Sequence, residues 1–124
     1  MKKPFSTPKA PAPKAPYSPA IIFGNLIFCS GQVSIDPKTN ELSLGTLEHE
    51  ATQTLTNVKT ILEEAGSSLD KVLKVTVFLA DIADFQAFNV IYKKFFKEPY
   101  PARSCVQAKL AAGLKVEVEA IAYI

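Results

Sequence analysis

The chain has 124 residues, 48% of them hydrophobic, with fourteen basic and twelve acidic side chains. That composition specifies one folded domain with a sizeable core, and a net charge of +2 lacks the clustered basic excess of a nucleic-acid-binding surface. Two cysteines and one histidine make neither a disulfide framework nor a metal site without carboxylates to complete it, so no metal is expected.

The chain opens with "MKKPFSTPKAPAPKAPYSPA", which places six prolines in its first nineteen residues. Proline removes helix hydrogen bonds, so residues 1–16 read as an extended arm leading into a single domain over 1–124, not as the amphipathic helix of a transit peptide. No apolar run approaches the ~20 residues that span a bilayer. With free thiols as well, the expected location is the cytoplasm.

"AIIF" and "LIFCSGQVS" flank Gly24-Asn25, two residues that tolerate positive φ and so suit a hairpin loop. "IDPKTNELSLG" follows as a polar loop. From Thr46 to Ala65 the apolar residues Leu47, Ala51, Leu55, Val58, Leu62 and Ala65 recur at helical spacing, and Gly66 closes the segment. "KVLKVTVFLA" is β-branched and predicts a strand. Asp81 or Asp84 can cap a second helix with Phe85, Phe88, Tyr92 and Phe95 on one face, stopped by Pro99. "RSCVQAKLA" and "KVEVEAIAYI" predict the last two strands. Two strand–helix–strand units with short connections put both helices on one face of a mixed sheet. The expected fold is a two-layer α+β sandwich.

Alternation along the strands sorts residues between the two faces of that sheet. Arg103, Cys105 and Gln107 share one side, assigned to the helix-free face, and Val106, Ala108 and Leu110 the other, assigned to the helices. Glu117 and Glu119 share a side with Ile121 and Tyr123, and Ser30 and Gln32 with Leu26 and Phe28. The helix-free face is then partly apolar and partly ionisable, which favours an oligomer that buries it.

Arg103 is the only arginine beside thirteen lysines. A guanidinium can grip a carboxylate through two parallel hydrogen bonds, which a lysine cannot reproduce. A salt bridge to a sheet-face glutamate is the other reading open on residue type alone. Glu117 and Glu119 compete as activators of water. Residues two apart along a strand are roughly 6.5 to 7 Å apart, so one water does not easily use both. Cys105 as a nucleophile needs a base, and His49, early in the first helix, is the only histidine.

"SGQ" at Ser30 to Gln32, "PARSCV" at Pro101 to Val106 and "VEVEAIA" at Val116 to Ala122 together resemble the reactive intermediate deaminase (RidA) family. The likeness runs from "APYS" near Tyr17 through "FNVIYKKFF" after Phe88, with one residue fewer in the "AAGLK" turn. The resemblance implies a chorismate mutase-like fold, a homotrimer with sites between subunits, no cofactor, and hydrolysis of 2-imino acids such as 2-iminobutyrate and 2-iminopropionate to 2-keto acids and ammonia. By the same resemblance Arg103 and Glu117 are the catalytic pair. Tyr17, Ser30, Gly31, Asn89 and Cys105 then line the substrate site, Ser30 donating a hydrogen bond, Gly31 allowing close backbone approach and Cys105 giving backbone and bulk. Two alternatives are a keto-acid-binding module without turnover and an RNA-cleaving translation inhibitor. The latter needs a basic groove with stacking aromatics, and no such cluster is present.

Overall fold

Thr46 opens the first helix where the apolar spacing places it. In the computed structural model, which describes residues 1–124, its side chain accepts a hydrogen bond from the His49 N–H at 3.1 Å. Helix α1 then runs over Leu47–Glu64. At the far end Gly66, with φ 92°, lets the Ser67 N–H reach back to the Leu62 carbonyl at 2.8 Å and its own N–H to Glu63 at 3.1 Å. This is the six-to-one and five-to-two bonding that satisfies the last carbonyls of a helix. Ala51, Leu55, Val58 and Leu62 are all fully buried. Thr46→Ala removes one of the few partners available to the first-turn N–H groups and is expected to cost about 1 kcal/mol, measured by urea unfolding at unchanged m-value.

Around α1 the strands are β1 (Lys3–Phe5), β2 (Ala20–Phe23), β3 (Leu26–Gln32), β4 (Ile35–Asp36), β5 (Glu41–Leu42), β6 (Val72–Leu79), β7 (Ala102–Gln107) and β8 (Val116–Tyr123). Helix α2 (Phe85–Phe95) joins β6 to β7. Asp84 holds the N-cap position of α2 without a side-chain bond there, and Asp81 caps the turn that precedes it. The Asp81 carboxylate accepts from the Ala83 N–H in a short 3₁₀ turn over Ile82–Asp84 that leads into α2, which ends before Pro99. In the β2–β3 hairpin Gly24 alone has positive φ, at 60°, because a turn with only its first central residue left-handed already matches the strand twist.

Six strands form one sheet in the order β1-β2-β3-β8-β6-β7, with β4 and β5 as a separate hairpin. Only β6 and β7 are parallel, as the α2 crossover requires. Both helices cover one face, as expected. Ile27, Val75, Val77, Leu79, Val116, Val118 and Ala122 point into that core with Phe88 and Ile91 of α2. No helix is long and apolar enough to cross a membrane. One charge enters the core. Glu50 is fully buried and accepts from the backbone N–H groups of Gly45 and Lys115 at 3.1 and 2.9 Å, while Lys115 Nζ stands 3.3 Å away. It ties the start of α1 to the turn before β8.

Three expectations about faces are corrected. Arg103 pairs with Val75, Cys105 with Val77 and Gln107 with Leu79, so these three lie on the helix side, not the open side. Val106 pairs with Phe78 and is 45% exposed on the helix-free face. Ala108 and Leu110 lie beyond the strand, which ends at Gln107. A turn follows in which Ala112 and Gly113 both adopt positive φ. Finally, β3 carries one extra residue between Cys29 and Gln32, which turns the side chain of Gln32 inward to a 6% exposed position. Glu117 and Glu119 face away from the helices, opposite Phe78 and Thr76, as the alternation predicts. Phe28, Val106 and Tyr123 expose apolar surface on that uncovered face beside Lys74, Thr76 and the two glutamates.

Candidate active site

Arg103 sits on β7, the outermost strand, where its side chain reaches over the edge of the core to α2. Its guanidinium carbon lies 4.7 Å from the Tyr92 ring centroid and 5.6 Å from that of Phe85. One Nη donates to Asn89 Oδ1 at 2.9 Å. Asn89 and Tyr92 are three residues apart on α2 and so present one flank to the strand. A guanidinium has five N–H donors, and no carboxylate lies within 4.0 Å of this one, the chain's three ion pairs being made by lysines. The group is therefore held against the Tyr92 ring with donors to spare, at the wall of a cavity of about 260 Å³ shared with Gln86, Lys93, Tyr100 and Pro101. Burial pushes the Tyr92 phenol up to about 12, against the pull of the Arg103 charge, so it stays protonated.

Glu117 belongs to a different cavity, of about 500 Å³, on the helix-free side. Tyr17, Ser30, Gly31, Ala111, Leu114 and Glu119 are among its walls. Burial, and then the neighbouring Glu119 charge, hold the Glu117 carboxyl above the usual carboxylate range. An acid kept from ionising too readily is better suited to exchange a proton near neutral pH. The Ser30 hydroxyl gives its proton to the Ser18 carbonyl at 2.6 Å, and the Ser30 N–H donates to Pro19 at 3.0 Å. Those two bonds fix the segment that carries Tyr17 over the cavity. They leave Ser30 Oγ its lone pairs, but not its proton, for anything bound there.

The sequence-derived residues thus fall into two groups. Tyr17, Ser30, Gly31 and Glu117 come together; Arg103 and Asn89 come together; the groups lie apart. Arg103 is level with Val75 and Glu117 with Phe78, on strands flanking β6 on either side. Two inter-strand steps and three residues of rise amount to roughly 14 Å between their Cα atoms, and the side chains leave opposite faces. Cys105 lines neither cavity. It is half-buried against the core, and burial raises its thiol pKa more than Arg103 lowers it, so it is not an activated nucleophile. Cys29 is buried and pushed up to about 12, first by burial and then by Glu119. His49 is occupied on the surface, 2.8 Å from Ser43 Oγ.

The family described as Endoribonuclease L-PSP matches residues 7–124, nearly the whole of this sheet and both helices. The chain belongs to this family. Within it, a goat (Capra hircus) protein named 2-iminobutanoate/2-iminopropanoate deaminase is 46% identical over 123 residues, covering 98% of this chain and 90% of its own. The crystal structure of RidA from an Antarctic Psychrobacter matches with a TM-score of 0.93 at 43% identity, over 98% of this chain and 99% of that one. That of Escherichia coli TdcF with bound serine matches at 0.91 and 40% identity, over 98% of each chain. The RidA resemblance carried by "SGQ", "PARSCV" and "VEVEAIA" is thereby borne out.

For this L-PSP family member, sequence reasoning missed the part Tyr92 plays. It placed that residue on the apolar face of α2, where it is indeed buried, but the ring also forms the platform under Arg103. The available signal was the three-residue step from Asn89, which sets a polar group beside an aromatic one on the same flank. Gln86 and Tyr100, which also line that cavity, lie outside the quoted motifs.

Proposed function

We propose that the chain hydrolyses 2-imino acids, or their enamine tautomers, to 2-keto acids and ammonia, as a homotrimer with its sites between subunits. The observation that carries this reading is the unpaired, aromatic-backed guanidinium of Arg103. It is built to take a carboxylate, and relatives named 2-iminobutanoate/2-iminopropanoate deaminase match the chain over nearly its whole length. A neighbour with bound serine is a further instance of a small α-carboxylate held by this fold.

Arg103 grips the carboxylate through two N–H groups. Glu117 takes a proton from water as its oxygen bonds to the C=N carbon, and returns that proton to nitrogen. The carbinolamine then collapses: the C–N bond breaks, the C=O bond forms, and ammonia leaves with the hydroxyl proton. Water supplies every added atom. Positioning and modest acid–base help suffice for a carbon that is already electrophilic.

The separation of Arg103 from Glu117 supports a site shared between copies. One small substrate cannot touch both within one chain, whereas a second copy laid on the helix-free face can bring its Arg103 to the first copy's Glu117. The same packing covers Phe28, Val106 and Tyr123, which water otherwise wets. The free cysteines support a cytoplasmic protein. Ribonuclease action finds less support, because the helix-free cavity presents two carboxylates, which repel phosphate.

Coupling the protein to a threonine dehydratase and timing 2-ketobutyrate appearance tests the activity. Faster release of keto acid than in the uncatalysed control is expected. An unchanged rate leaves only a binding role. Native mass spectrometry at micromolar concentration is expected to show a trimer, and a predominant monomer sinks the shared site.

A further inference from the structure

The irregularity in β3 decides what faces Glu117. Cys29 pairs with Ala120 and Gln32 with Val118, so three steps along β3 match two along β8. Ser30 and Gly31 fill the excess. Gly31 does not need to be glycine for its backbone, since the positive-φ glycines are Gly24, Gly66 and Gly113. The reason lies in front of it. A Cβ at Gly31 would stand 2.9 Å from Glu117 Cδ and 3.2 Å from Cγ, and would overlap Oε2. Val116 and Val118, fully buried on either side of Glu117, keep β8 from retreating. Only the carboxylate end is free to move.

We propose that Gly31 is a positioning residue: the side chain it lacks is the seat of the Glu117 carboxylate, and the β3 bulge aims that seat at β8. This rests on the assignment of Glu117 as the base. Gly31 therefore serves the reaction through Glu117, whatever its backbone also offers to a bound molecule. A methyl group there evicts the carboxylate while sparing the fold, because what yields is the far end of a flexible side chain.

The test is Gly31→Ala, alone and combined with Glu117→Gln. Gly31→Ala is expected to keep the wild-type melting temperature and assembly yet lose ~100-fold in kcat/KM, as befits a catalytic group misplaced by about 1 Å. Added to Glu117→Gln it should cost nothing more, since residues acting as a unit are not additive. A Gly31→Ala enzyme at the wild-type rate, while Glu117→Gln is crippled, overturns the seat and leaves the base assignment standing. So do losses that multiply in the double variant. Glu117→Gln at the wild-type rate instead removes the base, and the seat with it. Should Gly31→Ala fail to fold, Glu117→Ala in the same chain must restore folding, because it deletes the clashing atoms. Failure to restore it overturns the proposal.

Discussion

Glu117→Gln is expected to lower kcat for imine hydrolysis at least ~100-fold while leaving keto-acid affinity near the wild-type value. The change keeps size and one hydrogen-bond acceptor but removes the basic oxygen that takes the proton of water. General-base assistance is typically worth ~100- to 10,000-fold, and an electrophilic imine places this reaction toward the lower end. Keto acids still bind, since the carboxylate clamp is untouched. The pH profile supplies a second reading. Glu117 works deprotonated, so the rate is full above its pKa and falls as pH drops through it. Its carboxyl is raised first by burial and second by Glu119. The ionisable groups around it in the cavity are Glu119 and Tyr17. Glu119→Gln removes one of the two upward influences, so it should move the acid limb to lower pH and change the maximal rate much less. Steady-state rates on assembled protein decide the matter. If Glu119→Gln is the inactive variant and Glu117→Gln is not, the catalytic carboxylate has been assigned to the wrong residue.

Elements with strong local signals were legible in the sequence. The four-and-three spacing from Leu47 to Ala65, a threonine cap and a terminal glycine fixed α1 to within a residue at each end. The glutamate strand was equally clear, because Val116 and Val118 alternate with Glu117 and Glu119, which core packing would not accept, and Ala120 and Ala122 continue the inner face. For β7 the same alternation separated Arg103, Cys105 and Gln107 from Val106, Ala108 and Leu110 but oriented the two sets the wrong way round. Ala108 and Leu110 made the second set look like the core face, yet both lie beyond the strand, which ends at Gln107; what remains is an edge strand buried too shallowly for hydrophobicity to choose. Orientation was settled by the parallel register with Val75, Val77 and Leu79, a long-range contact. The bulge at Ser30–Gly31 was illegible for a related reason. One inserted residue inverts every later side chain, and nothing local to "SGQ" announces the insertion.

The same distinction applies to the site. Residue types and motif picked out Arg103, Glu117, Ser30 and Gly31, but not what holds each of them. The Ser30 hydroxyl is already bonded to Ser18, and the backing of Arg103 comes from α2, eleven residues away along the chain at Tyr92. Both facts depend on segments that meet only in three dimensions.

Arg103→Lys is expected to cost one to two decades in kcat/KM, with the loss falling mainly on substrate affinity. Lysine preserves the charge, and its ammonium can still lie against the Tyr92 ring. What it cannot reproduce is the planar fork, which uses one N–H to lock onto Asn89 Oδ1 and still has two parallel N–H groups for a carboxylate. Losing one charged hydrogen bond is worth about 1.5 to 3 kcal/mol, which is one to two factors of ten in rate constant. The carboxylate is gripped in the ground state as well as in the transition state. Most of the loss should therefore appear in KM, and 2-ketobutyrate affinity should fall in parallel. This is the opposite of the pattern expected for Glu117→Gln, so the two variants separate clamping from proton transfer. Melting temperature and assembly should stay near wild type, because Arg103 makes no ion pair within the chain for the substitution to break. A lysine variant that binds keto acids and hydrolyses imines as the wild type does would show that the carboxylate is held elsewhere, leaving Arg103 as a polar cap over the edge of the α2 core.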